Sequence, residues 1–312
     1  MRCALCQEDA IFYQPYSGAH LCSEHFMRSV ERRAFQRVRE TGMVGRCQHI
    51  AVALSGGKDS AACLHIMHTI LTQNPRVKLS AILVDEGIEG YRSVTKAAAD
   101  RLCRQLDVQL EKVSFQGQWS ITLDEILERT GSERACAYCG VLRRWLLNRR
   151  AREIGAQALC TGHNLDDEAQ TVLLDVLDDD VKRLVRLDHP KFTAGFVPRY
   201  KPLARVPEQE VALYAMLRGL PHASNTCPYS GSSARNDARE LLMAYEDRHP
   251  GARHSLMRFY HRVLPSLADD LGKALESDTG AIGNCEKCGE PSVGKTCRAC
   301  ALLAGLEEAH RF

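Results

Sequence analysis

The 312-residue sequence has no apolar run approaching the roughly 18 residues that cross a bilayer, so a membrane-spanning helix is excluded. Its opening, Met1-Arg2-Cys3, brings no apolar segment of the kind a secretion signal needs, and a cytosolic location is expected. Excess charge is also missing. Against 41 Lys and Arg stand 39 Asp and Glu, a formal net charge of +2, so a surface for nucleic acid has to be a local patch. Nowhere do two glycines four residues apart precede Lys and Ser/Thr, and an ordinary P-loop NTPase is not expected. What is plentiful is cysteine, 14 residues, which in a cytosolic chain needs an explanation other than disulfides. With 45% hydrophobic residues the chain can bury a real core, and its length suits one core domain with attachments.

The cysteines sort by spacing. Cys3-x-x-Cys6 and, after fifteen residues, Cys22-x-x-His25 make a four-ligand set of thiolate and imidazole that suits tetrahedral Zn2+ in a structural site. A segment this short and polar would be folded by its metal. Cys285, Cys288, Cys297 and Cys300 form two CxxC pairs that read as a zinc ribbon or knuckle. Cys136 and Cys139 are a third pair, read by spacing alone as a zinc or redox motif, and Cys227 stands by itself in a polar turn. Cys47, Cys63, Cys103 and Cys160 lie in or beside apolar segments and read as small hydrophobes.

The stretch Ala53-Leu54-Ser55-Gly56-Gly57-Lys58-Asp59-Ser60 organises the rest. An apolar run, Ile50 to Leu54, enters it, and helical periodicity leaves it, which predicts strand, tight turn and helix start. Two glycines allow close backbone approach, and the turn amides with the helix N-terminus make a phosphate site. Strands over Leu79–Val84, Val108–Val113 and Ala156–Thr161 alternate with helices over Arg92–Leu106 and from Cys136 to about Ile154. That rhythm predicts an α/β fold with a doubly wound parallel sheet, its ligands bound beyond the strands' carboxyl ends. Asp85-Glu86-Gly87 and Gly162-His163-Asn164-Leu165-Asp166-Asp167-Glu168 should share that edge with the glycine turn. Carboxylates there suit Mg2+ or the first turn of a helix, and Asp167 is the one assigned to chemistry. Leu184 to Tyr200 is expected to be a mobile excursion, Pro207 to Leu217 a helix, Arg235–Arg248 and His254–Leu271 two more, and Gly272 to Gly283 a polar linker. An arginine-lined helix from His25 to about Arg39 and the region Arg248 to Arg262 are the candidate RNA grips; a solvated face is the ordinary alternative.

Taken together, SGGKDS, CxxCG at Cys136, GHNLDDEA from Gly162, CPY at Cys227 and the two terminal metal sets resemble the TtuA-type tRNA 2-thiouridine synthetases and their archaeal and eukaryotic wobble-uridine relatives. The resemblance spans nearly the full length. It implies a PP-loop (adenine nucleotide α-hydrolase-like) core flanked by N- and C-terminal zinc modules. The boundaries expected are 1–27 finger, 28–48 basic linker helix, 49–225 PP-loop domain, 226–280 helical extension and 281–312 ribbon. It implies ATP contacts at Ala53, Ser55, Gly56, Gly57, Lys58, Asp59, Ser60, Leu83, Arg143, Gly162 and Asp167. It implies a 4Fe-4S cluster held by Cys136, Cys139 and Cys227, with Asp59, Arg143, Asp167 and these cysteines catalytic. ATP with Mg2+ would adenylate uridine O2, and sulfur would come from a ubiquitin-like thiocarboxylate carrier or free sulfide, in a homodimer acting on tRNA. Cys139-Gly140-Val141-Leu142-Arg143-Arg144 carries Arg where TtuA-type sequences tend to have Lys, which points to the wobble uridine over the T-loop uridine. The rival readings are thiolation of the T-loop uridine, a non-catalytic zinc-dependent RNA-binding subunit, and another PP-loop chemistry such as lysidine or amide formation.

Overall fold

The computed structural model describes residues 1–187, 195–230, 234–278 and 282–308. A hairpin of β1 (Phe12–Gln14) and β2 (Ala19–Leu21) leads into helix α1 (Ser23–Thr41) and the single turn α2 (Met43–Arg46). Then β3 (His49–Ala53), α3 (Lys58–Thr72), β4 (Lys78–Asp85), α4 (Arg92–Leu106) and β5 (Gln109–Ser114) alternate. Short α5 (Phe115–Trp119) and α6 (Leu123–Thr130) precede α7 (Ala135–Glu153), β6 (Ala158–Cys160) and α8 (Leu165–Leu177). They are followed by α9 (Val181–Val185), β7 (Arg199–Tyr200), α10 (Glu208–Leu217), α11 (Ala234–Arg248) and α12 (Ala252–Asp278). The C-terminal module is β8 (Gly283–Asn284), β9 (Pro291–Ser292) and α13 (Arg298–Glu308).

The central sheet has the order β5-β4-β3-β6-β7, and every pairing is parallel. Strand side chains alternate between two cores, as the period of two requires. Ile50, Val52, Ala81 and Leu83 pack with α1, α3 and α10, while Ala51, Ile82, Val84 and Leu159 pack with α6, α7 and α13. Burial on both faces explains why these strands read as continuous apolar runs. The order reverses between β3 and β6, so the crevice for a ligand opens where the loop after β3 meets the loop after β6. The expected doubly wound sheet is therefore present, with a fifth strand, β7, that the sequence pattern did not reveal.

Several boundaries differ from expectation. The helix expected as a basic linker is part of the core, because Phe26, Val30, Ala34 and Val38 form a continuous buried stripe against the sheet's helices. The expected linker from Gly272 is helical as far as Asp278, with Pro265 inside the same helix; residues 279–281 lie outside the described residues. The expected excursion from Leu184 to Tyr200 is anchored at both ends by α9 and β7, and residues 188–194 lie outside the described residues. The C-terminal module docks on the second core through Cys285, Cys297, Ala299 and Leu306. Cys47, Cys63, Cys103 and Cys160 are buried in the first core as small hydrophobes.

Candidate functional site

The glycine turn leaves β3 at Leu54, whose amide still bonds Ile82 O at 2.9 Å, and closes on itself. Ser60 Oγ donates to Gly57 O (2.9 Å) and lies 3.0 Å from Ser55 Oγ, while the Gly57 amide donates to Ser55 Oγ (3.3 Å). Gly56 has a φ of +90°, and a Cβ there would lie 2.2 Å from the Thr95 carbonyl oxygen, so only glycine fits. Gly57 is the N-cap of α3 and supplies no side chain, which leaves the first-turn amides free of a capping side chain. Gly162 serves the other wall. A Cβ on it would lie 2.8 Å from the backbone of Asp59 and Ser60, so β6 delivers its loop directly against the start of α3.

Lys58 does not project freely. Its Nζ lies 2.9 Å from Asp59 Oδ2 and 2.8 Å from Glu208 Oε1. Burial lowers the lysine pKa, but these two carboxylates outweigh it and the net shift is upward, so Lys58 is a fixed cation at the mouth of the turn. Burial raises Glu208 in turn, and Lys58 and Arg239 (2.8 Å) more than offset it, holding the carboxyl below its usual range. Sequence reasoning missed Glu208 and Arg239, since neither sits in a motif. It also missed Arg92, a buried side chain that donates to Ser55 O (3.2 Å) and Val84 O and pairs with Glu86 (2.9 Å). Arg92 thereby ties the glycine turn to the end of β4.

Glu86 is also the link to the cysteines. Arg143, one turn into α7 from Cys139, sets its Nε 2.7 Å from Glu86 Oε1 and a terminal nitrogen 2.7 Å from Cys139 Sγ. Cys139 is buried, and burial pushes its thiol up to about 11 despite Arg143. Cys227 is raised by burial as well, and it lies close enough to feel Arg143, Glu86 and Cys136. Cys227 therefore lies within electrostatic range of Cys136 and Cys139 at one corner, although the three sulfurs are not all within 4.8 Å of one another. Cys136 is exposed and Cys227 half-buried, so the corner opens outward. Ala223, four residues before Cys227, donates to Gly56 O (2.8 Å), and Tyr229 OH donates to Asp124 (2.7 Å). These two bonds carry the Cys227 turn from the glycine turn to α6, something no spacing in the sequence discloses. Arg143, expected at the ATP phosphates, here bonds Glu86 and the Cys139 sulfur, so a phosphate would have to displace one of them.

The acidic loop after β6 divides its labour. Asn164 caps α8, accepting from the amides of Asp166 and Asp167 and donating to Asp59 Oδ1 (3.1 Å). Asp166 is buried and pairs with Arg253, while Glu168 is buried and pairs with Lys201 (2.7 Å). Asp167 alone faces the crevice with no cation bound to it among the described residues. Burial first, and the Asp59 carboxylate beside it, raise its pKa to about 6. Two neighbouring carboxylates at a phosphate turn could share a hard cation. Of the remaining expected contacts, Ala53 is half-buried at the end of β3, whereas Leu83 is fully buried in the core and offers no side chain to a nucleotide.

At each terminus four ligand atoms lie within 4.8 Å of one another: Cys3, Cys6, Cys22, His25 and Cys285, Cys288, Cys297, Cys300. A tetrahedral ion with metal–sulfur bonds of about 2.3 Å needs sulfurs about 3.8 Å apart. Cys6 and Cys22 are separated by 3.7 Å, as are Cys288 and Cys297, and His25 Nδ1 lies 3.2 Å from Cys22 Sγ. Both sets fit one ion each. Amides point at the sulfurs, Leu5 N at Cys3 and Cys297 N at Cys285. Burial raises these two thiols, yet the amides pull both down to about 6, favouring thiolate.

One arginine in each of the two expected RNA grips points inward. Arg33 is turned inward to Glu210 and Tyr16, and Arg253 to Asp166 and Glu246, so neither is a free surface cation. Arg28, Arg32 and Arg39 do lie exposed on α1.

The PP-loop domain family matches residues 27–246, and the N-terminal LIM domain of 2-thiouridine synthetase TtuA matches residues 2–27. The tRNA 2-thiolation protein NcsA of Haloferax volcanii is 40% identical, covering 98% of this chain and 99% of its own. The cytoplasmic tRNA 2-thiolation protein 1 of Danio rerio is 34% identical, covering 98% and 88%. Among solved structures, the U34-tRNA thiolase NcsA from Methanococcus maripaludis with its 4Fe-4S cluster superposes with a TM-score of 0.82 at 34% identity, covering 98% of this chain and 96% of that one.

Proposed function

We propose, on the premise that this chain belongs to the PP-loop family of tRNA 2-thiolation proteins, that it uses ATP to replace O2 of the tRNA wobble uridine with sulfur. The observation that carries the reading is the chain of contacts from the glycine turn through Arg92 and Glu86 to Arg143 and Cys139. It joins a phosphate site to a sulfur site within one crevice, which a non-catalytic RNA-binding subunit would not require.

The first-turn amides of α3 and Lys58 hold the ATP phosphates, with Ser55, Gly56, Gly57 and Ser60 shaping the turn and Ala53 and Gly162 bordering it. On arrival of the phosphates, Lys58 exchanges Glu208 for phosphate oxygen. Asp59 and Asp167 would hold Mg2+. Uridine O2 attacks the α-phosphorus, the bond to pyrophosphate breaks, and O2 becomes part of an adenylate. Attack of sulfur at C2 then forms the C–S bond, and AMP leaves with the former O2. Cys136, Cys139 and Cys227 fit a multi-iron cluster: three thiols around an outward-facing corner, with Arg143 to balance thiolate charge. These three thiols would hold such a cluster, which would supply the chemistry of sulfur delivery beside Arg143. The sulfur enters as sulfide or from a ubiquitin-like thiocarboxylate, and the enzyme works in the cytoplasm as a homodimer. The terminal ligand sets hold Zn2+, an assignment that fits thiolate and imidazole donors at tetrahedral spacing.

The test supplies pure, anaerobically prepared protein, ATP and sulfide to tRNAs with uridine in both the anticodon and the T-arm. Mass spectrometry of nuclease fragments is expected to find sulfur in the anticodon fragment; sulfur confined to the T-arm would reject the wobble assignment. The pH dependence gives a second prediction. With Asp167 near 6, its carboxylate form is lost as pH falls through about 6, so kcat/KM should fall on that acid limb. Asp167→Asn should remove the limb along with most of the activity. An unshifted limb in the variant would assign it to another group.

A further inference from the structure

The loop after β6 presents His163, an exposed residue, among several cations. Lys201, Arg235, Arg199 and Arg143 all lie close enough to the imidazole to act on it. Most of these cations have an answering group. Lys201 pairs with Glu168 (2.7 Å) and Arg143 with Glu86 (2.7 Å), while Arg235 donates to Thr171 Oγ1 (3.2 Å) and lies beside Asp167.

Arg144 and Arg199 are different. Neither has a carboxylate partner among the described residues. Arg199 donates to the backbone carbonyl of Arg144 at 3.3 Å, which brings the two residues together. The Arg144 guanidinium folds over Gly140, 3.5 Å from where a Cβ would stand. Arg144 is exposed and Arg199 half-buried; crowding by protein and the neighbouring guanidinium, Arg143 for the first and Arg144 for the second, lower the pKa of each. Like charges held together without a counter-charge are unfavourable, and a bound anion removes the penalty. Guanidinium forks match phosphate oxygens in pairs.

Successive residues on a helix point about 100° apart. Arg143 turns to the sulfur corner, and Arg144, the next residue, folds back over Gly140 at the surface beside it. An anion held there lies one residue step from the sulfur site. The nucleotide's own phosphates are already served by Lys58 and the amides of α3, which leaves this second pair of cations to a different phosphate.

We propose that Arg144 and Arg199 grip a phosphodiester of the bound tRNA beside the nucleotide being modified, and so position that nucleotide at the sulfur corner. The proposal rests on the reading that tRNA is the substrate. It also moves the decisive RNA contact from the outer face of α1 to the mouth of the crevice.

The experiment measures tRNA binding by fluorescence anisotropy over a salt series, and ATP binding by calorimetry, for the full-length protein and for Arg144→Gln, Arg199→Gln and Arg144→Lys. Each Gln variant should bind tRNA about tenfold more weakly and lower the slope of log affinity against log salt by about one. Arg144→Lys should keep the slope. ATP affinity and zinc content should be unchanged throughout. A loss confined to ATP binding would make the anion a nucleotide polyphosphate and overturn the proposal, as would unaltered tRNA binding in all three variants. The unsubstituted protein separates the two levels: if it neither binds nor thiolates tRNA, the functional reading fails; if it does both and the Gln variants match it, only this inference fails.

Discussion

Cys227→Ser is expected to abolish thiolation and the visible absorbance of an anaerobically purified protein while leaving two zinc ions per chain. Cys227 is one of three thiols at the corner, and serine oxygen is a poor substitute for a soft thiolate toward iron. Its turn is fixed independently of any metal, by Ala223 bonding Gly56 O and by Tyr229 bonding Asp124, so the substitution should not unfold the neighbourhood. The two terminal ligand sets are complete without it. Iron, sulfide and zinc analysis with a thiolation assay on the same preparation checks the prediction. A Cys227→Ser protein that still thiolates tRNA under anaerobic conditions would refute the cluster assignment.

Glu210→Ala should lower stability by about 3–5 kcal/mol, the usual cost of leaving one member of a buried ion pair without its partner. Glu210 is 1% exposed and Arg33 15% by side chain. Glu210 also accepts from Tyr16 OH (2.5 Å) and Gln14 (3.1 Å), so one carboxylate binds the N-terminal hairpin, α1 and α10 together. His254 of α12 stacks on Tyr16, with ring centroids 4.3 Å apart. Removing the carboxylate strands a guanidinium, a hydroxyl and an amide at once. Glu40→Ala is the control: its pair with Arg205 is nearly 40% exposed on both sides and should contribute under about 1 kcal/mol. Urea denaturation of the two variants under identical conditions should separate them clearly, and equal midpoints would show that the network is not stabilising.

Arg33 illustrates what a linear reading can and cannot see. The run Arg28, Arg32, Arg33, Arg37, Arg39 looks like one basic face, and the apolar stripe beneath it was legible from its spacing. Whether one arginine of that run points inward depends on Glu210, 177 residues away. Arg253 followed the same course with Asp166. The family resemblance puts Arg143 at the phosphates, and the fold adds Glu86 and a thiol as its partners. Among the acidic residues of the loop after β6, the sequence leaves a metal role and a place in a helix first turn both open, and nothing in it separates Asp167 from its neighbours. The structure supplies the partners that occupy Asp166 and Glu168.

The sequence by itself determined everything that rests on local chemistry. The strand–turn–helix around Gly56 follows from apolar runs and glycine, the alternation of strands and helices dictates a parallel sheet, and the spacing of eight ligands prescribes two tetrahedral metal sites. These are properties of neighbouring residues, whose geometry the backbone fixes within a few positions. The tertiary structure alone decided which charges meet. Lys58 with Glu208, Arg143 with Glu86, and Arg144 with Arg199 are pairings across long stretches of chain, set by how helices pack on the two faces of the sheet. An isolated sequence gives each side chain a charge but no distance, and electrostatic interaction depends on distance and burial as much as on charge.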